Sequence, residues 1–400
     1  MDRIYLDSNA TMRIHPEVAA AIAECHRRQL ANPSSQHHFG RQARRTLEDA
    51  RDAIAELLDL RLGGQNADRI IFTSGGTEAN NLALTGLTGP RPSRIVVSTI
   101  EHPCVIEPAK RLAQHGCDVE WLPVDSAGVA RVDLLDSLLE QPTQLVSLML
   151  ANHETGVLQP VATASEICQG RATLFHTDAA QAIGKIPLSF RDLQVDAMTI
   201  AAHKFGGPVG IGALAIRGEV DITPALLGGF QQLGIRAGTE SVALAVGMQA
   251  ALKLVIDDLS ARAERMRSLR DQLETTLLAE LPDVVINGHR GPRLPNTSSI
   301  ALPGVSRQTM FLALDAAGIA CSTGSACASG ASDPSPVLVA MGCDWSIVES
   351  SLRLSLSAET SPQEIDLAAR RIFLIHKDLR RKKHAEKAAA GPRETDEKTL

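Results

Sequence analysis

The chain is poor in aromatic side chains: 3% of its 400 residues are Phe, Trp or Tyr, and only one is tyrosine. Proteins that grip single-stranded nucleic acid stack its bases on aromatic faces, and little material for that is present. A basic excess is missing too. Forty Lys and Arg stand against 46 Asp and Glu, a formal net charge of −6, so no general attraction to phosphate backbones is expected and no direct nucleic-acid partner. The seven cysteines are odd in number and scattered, and none falls in a CxxC pair or a His/Cys cluster of zinc spacing. That argues against a disulfide framework and a structural metal, and for a reducing compartment. No run approaches the roughly 18 apolar residues of a membrane span. Met1-Asp2-Arg3-Ile4-Tyr5-Leu6-Asp7 places acidic groups where a signal peptide needs a basic start. A cytoplasmic protein without a membrane partner is the expectation.

What is present is a balanced globular composition, 44% hydrophobic and 22% charged. The length allows roughly two to three domains. Between about 69 and 216, short apolar runs rich in β-branched residues alternate with helical patterns. The runs are 69–73, 94–99, 144–150, 172–175, 197–200 and 212–216, and their near-continuous apolar character fits strands buried on both faces. Pro103 to Gln114 and Ala162 to Cys168 read as helices, as does Gln42 to Leu60, where Ala43, Leu47, Ala50, Ile54, Leu57 and Leu58 recur at helical spacing. This predicts an α/β fold with a mainly parallel central sheet. A long helix, broken or continuous, is expected over 241–281. Runs at 284–287, 297–302 and 352–356 then suggest a second, α+β domain. The expected division is an N-terminal segment 1–14 joining the small domain, a large domain 15–255, a small domain 256–380, and a polar, disordered tail 381–400.

The polar residues of interest follow the C-terminal ends of these runs, where open α/β sheets place ligands. Lys204 follows Thr199-Ile200-Ala201-Ala202, and Asp178 follows the run ending at Phe175. A lysine so buried is costly without a purpose. An amine that holds an aldehyde and a carboxylate that keeps a pyridine nitrogen protonated are the two groups pyridoxal phosphate needs. Ser74-Gly75-Gly76-Thr77-Glu78 opens a helix and offers backbone N–H groups to a phosphate, although alone it reads equally as a tight strand-to-helix turn. His102 could lie over a pyridine ring or carry protons; a lone histidine also reads as structural. Asn152-His153-Glu154-Thr155-Gly156 could meet the phenolic oxygen of such a ring, and by itself reads as a loop. Cys327, in Ser325-Ala326-Cys327-Ala328-Ser329-Gly330, has small residues about it that let a nucleophilic thiol swing, whereas Cys25, Cys117 and Cys168 read as inert and buried.

In this order the motifs resemble those of cysteine desulfurases of the NifS/IscS-like group, within the fold-type I, class V aminotransferase superfamily. The resemblance runs from about Ile4 to Ile372. It rests on Asn9-Ala10-Thr11, Asn32-Pro33-Ser34-Ser35, Thr73-Ser74-Gly75-Gly76-Thr77-Glu78, Glu101-His102, Asn152, His176 with Asp178 and Gln181, His203-Lys204, Arg236 with Gly238-Thr239, Ser325-Ala326-Cys327 and Leu352-Arg353. It implies a homodimer that binds pyridoxal 5'-phosphate. Lys204 would be the Schiff-base lysine and proton shuttle, Asp178 the partner of the ring nitrogen, and His102 the stacking acid/base. Gly76, Thr77 and His203 would hold the phosphate with Thr239 of the other subunit; Gln181 would face the phenolic oxygen, and at His153 that contact would be remade by the imidazole or lost. Asn32 and Arg353 would bind the substrate, Arg353 pairing with its carboxylate. Cys327, on a mobile loop near 321–332, would take sulfur from L-cysteine as a persulfide, release alanine and hand the sulfur to an acceptor protein that serves iron-sulfur assembly or nucleic-acid thiolation. Two positions depart from the group's pattern: His153 stands where a second Asn is usual, and Ala201 where many members have a serine. The readings that compete are a selenocysteine lyase or another class V enzyme, and a non-catalytic homologue that binds a partner.

Overall fold

Strand Leu174–Asp178 lies at the centre of a seven-stranded sheet whose order is Arg69–Thr73, Gly212–Ile216, Ala197–Ala201, Leu174–Asp178, Leu145–Ser147, Arg94–Ser98, Asp118–Leu122. The computed structural model describes residues 3–324 and 333–389. Strand Gly212–Ile216 runs antiparallel to both its neighbours, and the remaining pairings are parallel. The central strands read as continuous apolar runs because helices cover both faces; Ala197–Ala201 and Gly212–Ile216 are buried at every position. Fully buried Phe175 and Phe205 anchor the core, each stabilising it by about 1.5–3 kcal/mol relative to exposure.

Several elements differ from expectation for local reasons. The run at 172–175 starts later, because Ala172 has φ 52 and Thr173 bonds back to Cys168 O in the turn closing helix Val161–Gln169. The strand therefore extends to Asp178, which pairs with Thr199 inside the ladder. The edge strand Asp118–Leu122 escaped the sequence pattern because its half-exposed charged and apolar residues alternate, unlike the buried runs. Of the run at 144–150 only Leu145–Ser147 forms a strand, although Leu148 and Leu150 continue bonding to His176 O and Asp178 O. Helix Pro16–Arg27 was not foreseen, and the helix expected from Gln42 begins earlier, as His38–Leu57, where the His37 ring accepts the Gly40 N–H.

The expected long helix is two: Val242–Asp257 and Leu259–Glu280, parted at Asp258. The second carries Leu269, Leu273 and Leu277 into a separate core with Ile300, Leu352, Ile365 and Ile372. There Thr297–Ala301 pairs antiparallel with Val285–Asn287 and Ser351–Ser355. Ile4–Tyr5 pairs in parallel with Ile319–Ala320, which ties the N-terminus to this smaller unit. Helix Pro362–Ala389 continues through the start of the segment expected as a polar tail at 381. Among the described residues, no helix is long and apolar enough to cross a membrane.

Candidate active site

At the C-terminal edge of the parallel strands a cavity of about 250 Å³ is lined by Gly76, Thr77, Asn80, His102, Cys104, Met149, Ala151, His153, Asp178, Ala180, Gln181, Ala201, His203 and Lys204. Eight of the expected site residues are there. They reach it from the ends of several strands and helices, which is why the groups are far apart in sequence.

Gly76 and Thr77 open helix Gly76–Thr88, whose N-terminus has no side-chain cap, so its first N–H groups are free for an anion. A Cβ on Gly76 would stand 3.3 Å from the Ala201 Cβ, tighter than side chains normally pack. Glycine here lets the helix end approach strand Ala197–Ala201. Glu78 in the same turn is clamped by Arg236 at 2.6 and 3.1 Å and accepts the Ser74 N–H.

Asp178 accepts from Asn80 Nδ2 at 2.7 Å and from the Ala180 N–H at 2.9 Å. Lys204 sits in the turn Ala202–Phe205 that ends strand Ala197–Ala201, and its Nζ donates to the carbonyls of Asn9 and Ala10 at 2.7 and 2.9 Å. Burial, and then the Arg353 charge, lower its pKa to about 8, with Asp178 opposing. An amine of that kind is partly unprotonated near neutral pH, as a nucleophile must be. Next to it, burial and the Lys204 charge bring His203 down to about 4, and its Nδ1 meets Thr11 Oγ1 at 2.7 Å.

His102 caps helix Pro103–Gln114, its Nδ1 accepting the Cys104 N–H at 3.1 Å. The His153 ring stands edge-on to it with centroids 5.0 Å apart. Burial lowers both pKa values, that of His153 far below the usual range. The Nδ1 of His153 is buried without a partner among the described residues. Its loop is shaped by Asn152, whose side-chain oxygen accepts the N–H groups of Glu154 and Thr155.

Arg353 is not among the cavity-lining residues. In strand Ser351–Ser355 it donates to His153 O at 2.9 Å and pairs with Asp7 Oδ1 at 2.7 Å, leaving its buried Nε without a partner among the described residues. Thr239 and Asn32 are not brought to the cavity of their own chain; both line another pocket, with Cys25 and Ser241. Cys327 lies outside the described residues. Gly324 and Ser335, on either side of 325–332, both meet buried Glu154: Ser335 Oγ donates to its Oε2 at 2.6 Å, and a Cβ on Gly324 would stand 2.8 Å from that atom. Of the cysteines read as inert, Cys25 and Cys168 are buried, whereas Cys117 is half-buried.

Sequence reasoning gave no role to four residues. Asn9 accepts Gln181 Nε2 and Lys204 Nζ on its carbonyl, and Lys185 Nζ and Asn296 Nδ2 on its side-chain oxygen. Lys185 is 0% exposed. The Gly184-Lys185 pair carries no periodic signal that could have marked it. Asn80 and Cys104 stand in the recognised helix starts, and their contacts appear only once those two helices meet.

The aminotransferase class-V family model matches residues 4–367. An IscS-like cysteine desulfurase of Mycobacterium tuberculosis is 40% identical, the alignment covering 97% of this chain and 99% of that one. A solved NifS-like protein superposes with a TM-score of 0.86 at 35% identity, covering 94% of this chain and all of the other. A second, from Rickettsia africae, gives 0.84 at 32% identity with the same coverage.

Proposed function

Because the chain belongs to the class-V aminotransferase family and is a cysteine desulfurase, we propose that it binds pyridoxal 5'-phosphate in the cavity between Gly76, Asp178 and Lys204. As a homodimer, it then takes the sulfur of L-cysteine onto Cys327. The observation that carries this reading is the convergence of an amine lowered to about 8, a buried carboxylate and an uncapped helix N-terminus on one cavity. The lining fits the cofactor's three polar ends: a carboxylate for the ring nitrogen, helix N–H groups for the phosphate and the Lys204 amine for the aldehyde. The orphaned Nδ1 of His153 is a polar atom left for the phenolic oxygen, beside Gln181.

When bound, pyridoxal phosphate supplies an electrophilic carbonyl and a protonated ring that takes up electrons from the α-carbon. Lys204 provides the amine that anchors it and, once displaced by substrate, takes the α-proton on Nζ. Asp178, oriented by Asn80 and the Ala180 N–H, holds the ring nitrogen's proton. Gly76, Thr77 and His203 bind the phosphate, joined by Thr239 of a second copy. Arg353, with its free Nε, attracts the substrate carboxylate, and Asn32 supports it. The Cys327 thiolate attacks the substrate sulfur: an S–S bond forms, the substrate C–S bond breaks, its electron pair stays on the β-carbon, which takes a proton, and Lys204 returns a proton to the α-carbon so that alanine leaves. The persulfide then passes its outer sulfur to an acceptor protein.

The homodimer is supported by an exposed apolar segment. Leu227, Phe230 and Leu233 are 81%, 86% and 67% exposed. Such a patch is costly to leave in water and marks an interface.

Incubation with sulfur-labelled L-cysteine followed by peptide mass spectrometry tests the assignment. The label is expected on Cys327, with alanine released in step. Label on Cys321 or Cys343 overturns it, and alanine release that survives Cys327→Ala favours a lyase that needs no protein thiol.

A further inference from the structure

Cys104 contributes a thiol to the cavity wall, and the proposed reaction does not use it. Its Sγ lies 2.9 Å from His102 Nδ1 and 3.0 Å from Asn80 Nδ2, while the other Asn80 contact is the 2.7 Å bond to Asp178 Oδ2. Four side chains on two helices, one strand and one loop thus form a continuous line.

We propose that Asn80 and Cys104 are positioning residues that fix the ring of His102, so that neutral His102 carries its proton on Nε2, toward the cavity. The direction of every bond follows from its two ends. An ionised carboxylate only accepts, so Asn80 must turn its NH2 to Asp178, and the same group then points to sulfur. At the other end, the Cys104 backbone N–H can only donate, so His102 Nδ1 must be an acceptor and bears no proton. Sulfur therefore accepts from Asn80 and gives its own proton to Nδ1. No other assignment satisfies both ends. Burial, with Asp178 adding to it, pushes the Cys104 thiol up to about 12, so it keeps the proton the line requires and stays a poor nucleophile beside the substrate.

Nε2 has no hydrogen-bonding partner among the described residues, so it is the nitrogen left for whatever enters. A ring held this way meets the substrate as a hydrogen-bond donor. To take a proton at Nε2 it must first give one up or break both bonds at Nδ1, which leaves abstraction of the α-proton to Lys204. The inference rests on the reading of His102 as a group that faces the reacting atoms. The charged or titratable groups that face the ring are Asp178, Lys204, Arg353 and His153, from a strand, a turn, a second strand and a loop.

The test is 15N NMR of histidine-labelled full-length protein before and after loading with pyridoxal phosphate, the His102 signals being assigned by their loss in His102→Asn. Nδ1 is expected in the unprotonated, pyridine-like range and Nε2 in the protonated range. Cys104→Ser, whose hydroxyl can accept and donate in the same places, should keep this pattern. Cys104→Ala should shift both signals toward tautomer averaging and move the His102 titration to higher pH, because one donor that favours the neutral ring is gone. Equal melting temperatures for the two variants separate this from misfolding. A proton found on Nδ1, or a Cys104→Ala spectrum and titration identical to wild type, overturns the inference. A protein that releases alanine with a proton on Nδ1 loses the inference and keeps the function. One with the expected tautomer that binds no pyridoxal phosphate does the reverse.

Discussion

The Nζ of Lys204 donates to the backbone oxygen of Asn9 at 2.7 Å. The lysine belongs to the large sheet, whereas Asn9 follows the strand Ile4–Tyr5, which is paired into the smaller unit. The proposed catalytic amine is therefore held by a segment that spans both cores, and the same carbonyl receives Gln181 Nε2.

With its value lowered to about 8, Lys204 should capture pyridoxal phosphate faster as pH rises through about 8 than an ordinary lysine would. The neutral amine reacts, and it predominates above the folded value. Stopped-flow absorbance of cofactor uptake at pH 6 to 10 measures this; a rate still climbing steeply from pH 9 to 10 would contradict it. Lys204→Ala should lose covalent uptake and at least about 10²-fold in alanine release.

Arg353→Lys should raise KM for L-cysteine roughly 10- to 100-fold, matching about 1.5–3 kcal/mol for hydrogen bonds to a charged group. Lysine is a point charge without the planar fork and its spare Nε. Because the change also weakens the Asp7 pair, melting temperature is recorded beside the kinetics. An unchanged KM removes Arg353 from the substrate site.

Lys185 is fully buried between Asn9 Oδ1 and Gln181 Oε1, with no carboxylate among the described residues bonded to it, and burial holds its pKa well below 10.5. The unfolded chain binds a proton there up to that ordinary value and the folded chain does not, so stability rises with pH between the two values. Lys185→Met abolishes this contribution and leaves Gln181 Oε1 unpaired, at about 1–3 kcal/mol. Denaturant titrations should show the deficit of the variant growing from pH 7 to pH 10; a constant difference would mean that the buried amine is charged.

Leu227→Glu with Phe230→Glu should convert a dimer into monomers by light scattering, since each charge would have to be buried against the second copy. Cofactor affinity should fall in parallel, because Thr239 does not line the cavity of its own chain. A monomeric variant that retains the cofactor as tightly would refute the role of Thr239.

The parallel sheet was legible because buried strands must be apolar at nearly every position, and the runs at 69–73, 94–99 and 212–216 say so directly. Strand Asp118–Leu122 was hidden because an edge strand tolerates charge on its open face. The sequence by itself determined which residue types stand at the ends of the strands: a lysine, a carboxylate, two imidazoles and a glycine turn, each fixed by its place after an apolar run. Tertiary structure alone decided what they touch. That Asn80 joins Asp178 to Cys104, that Lys185 lies buried beneath Gln181, and that Arg353 turns to Asp7 and His153 depends on helix and strand contacts between residues far apart in the chain. Local periodicity records which side of an element is buried; it carries no information on which distant side chain will be found there.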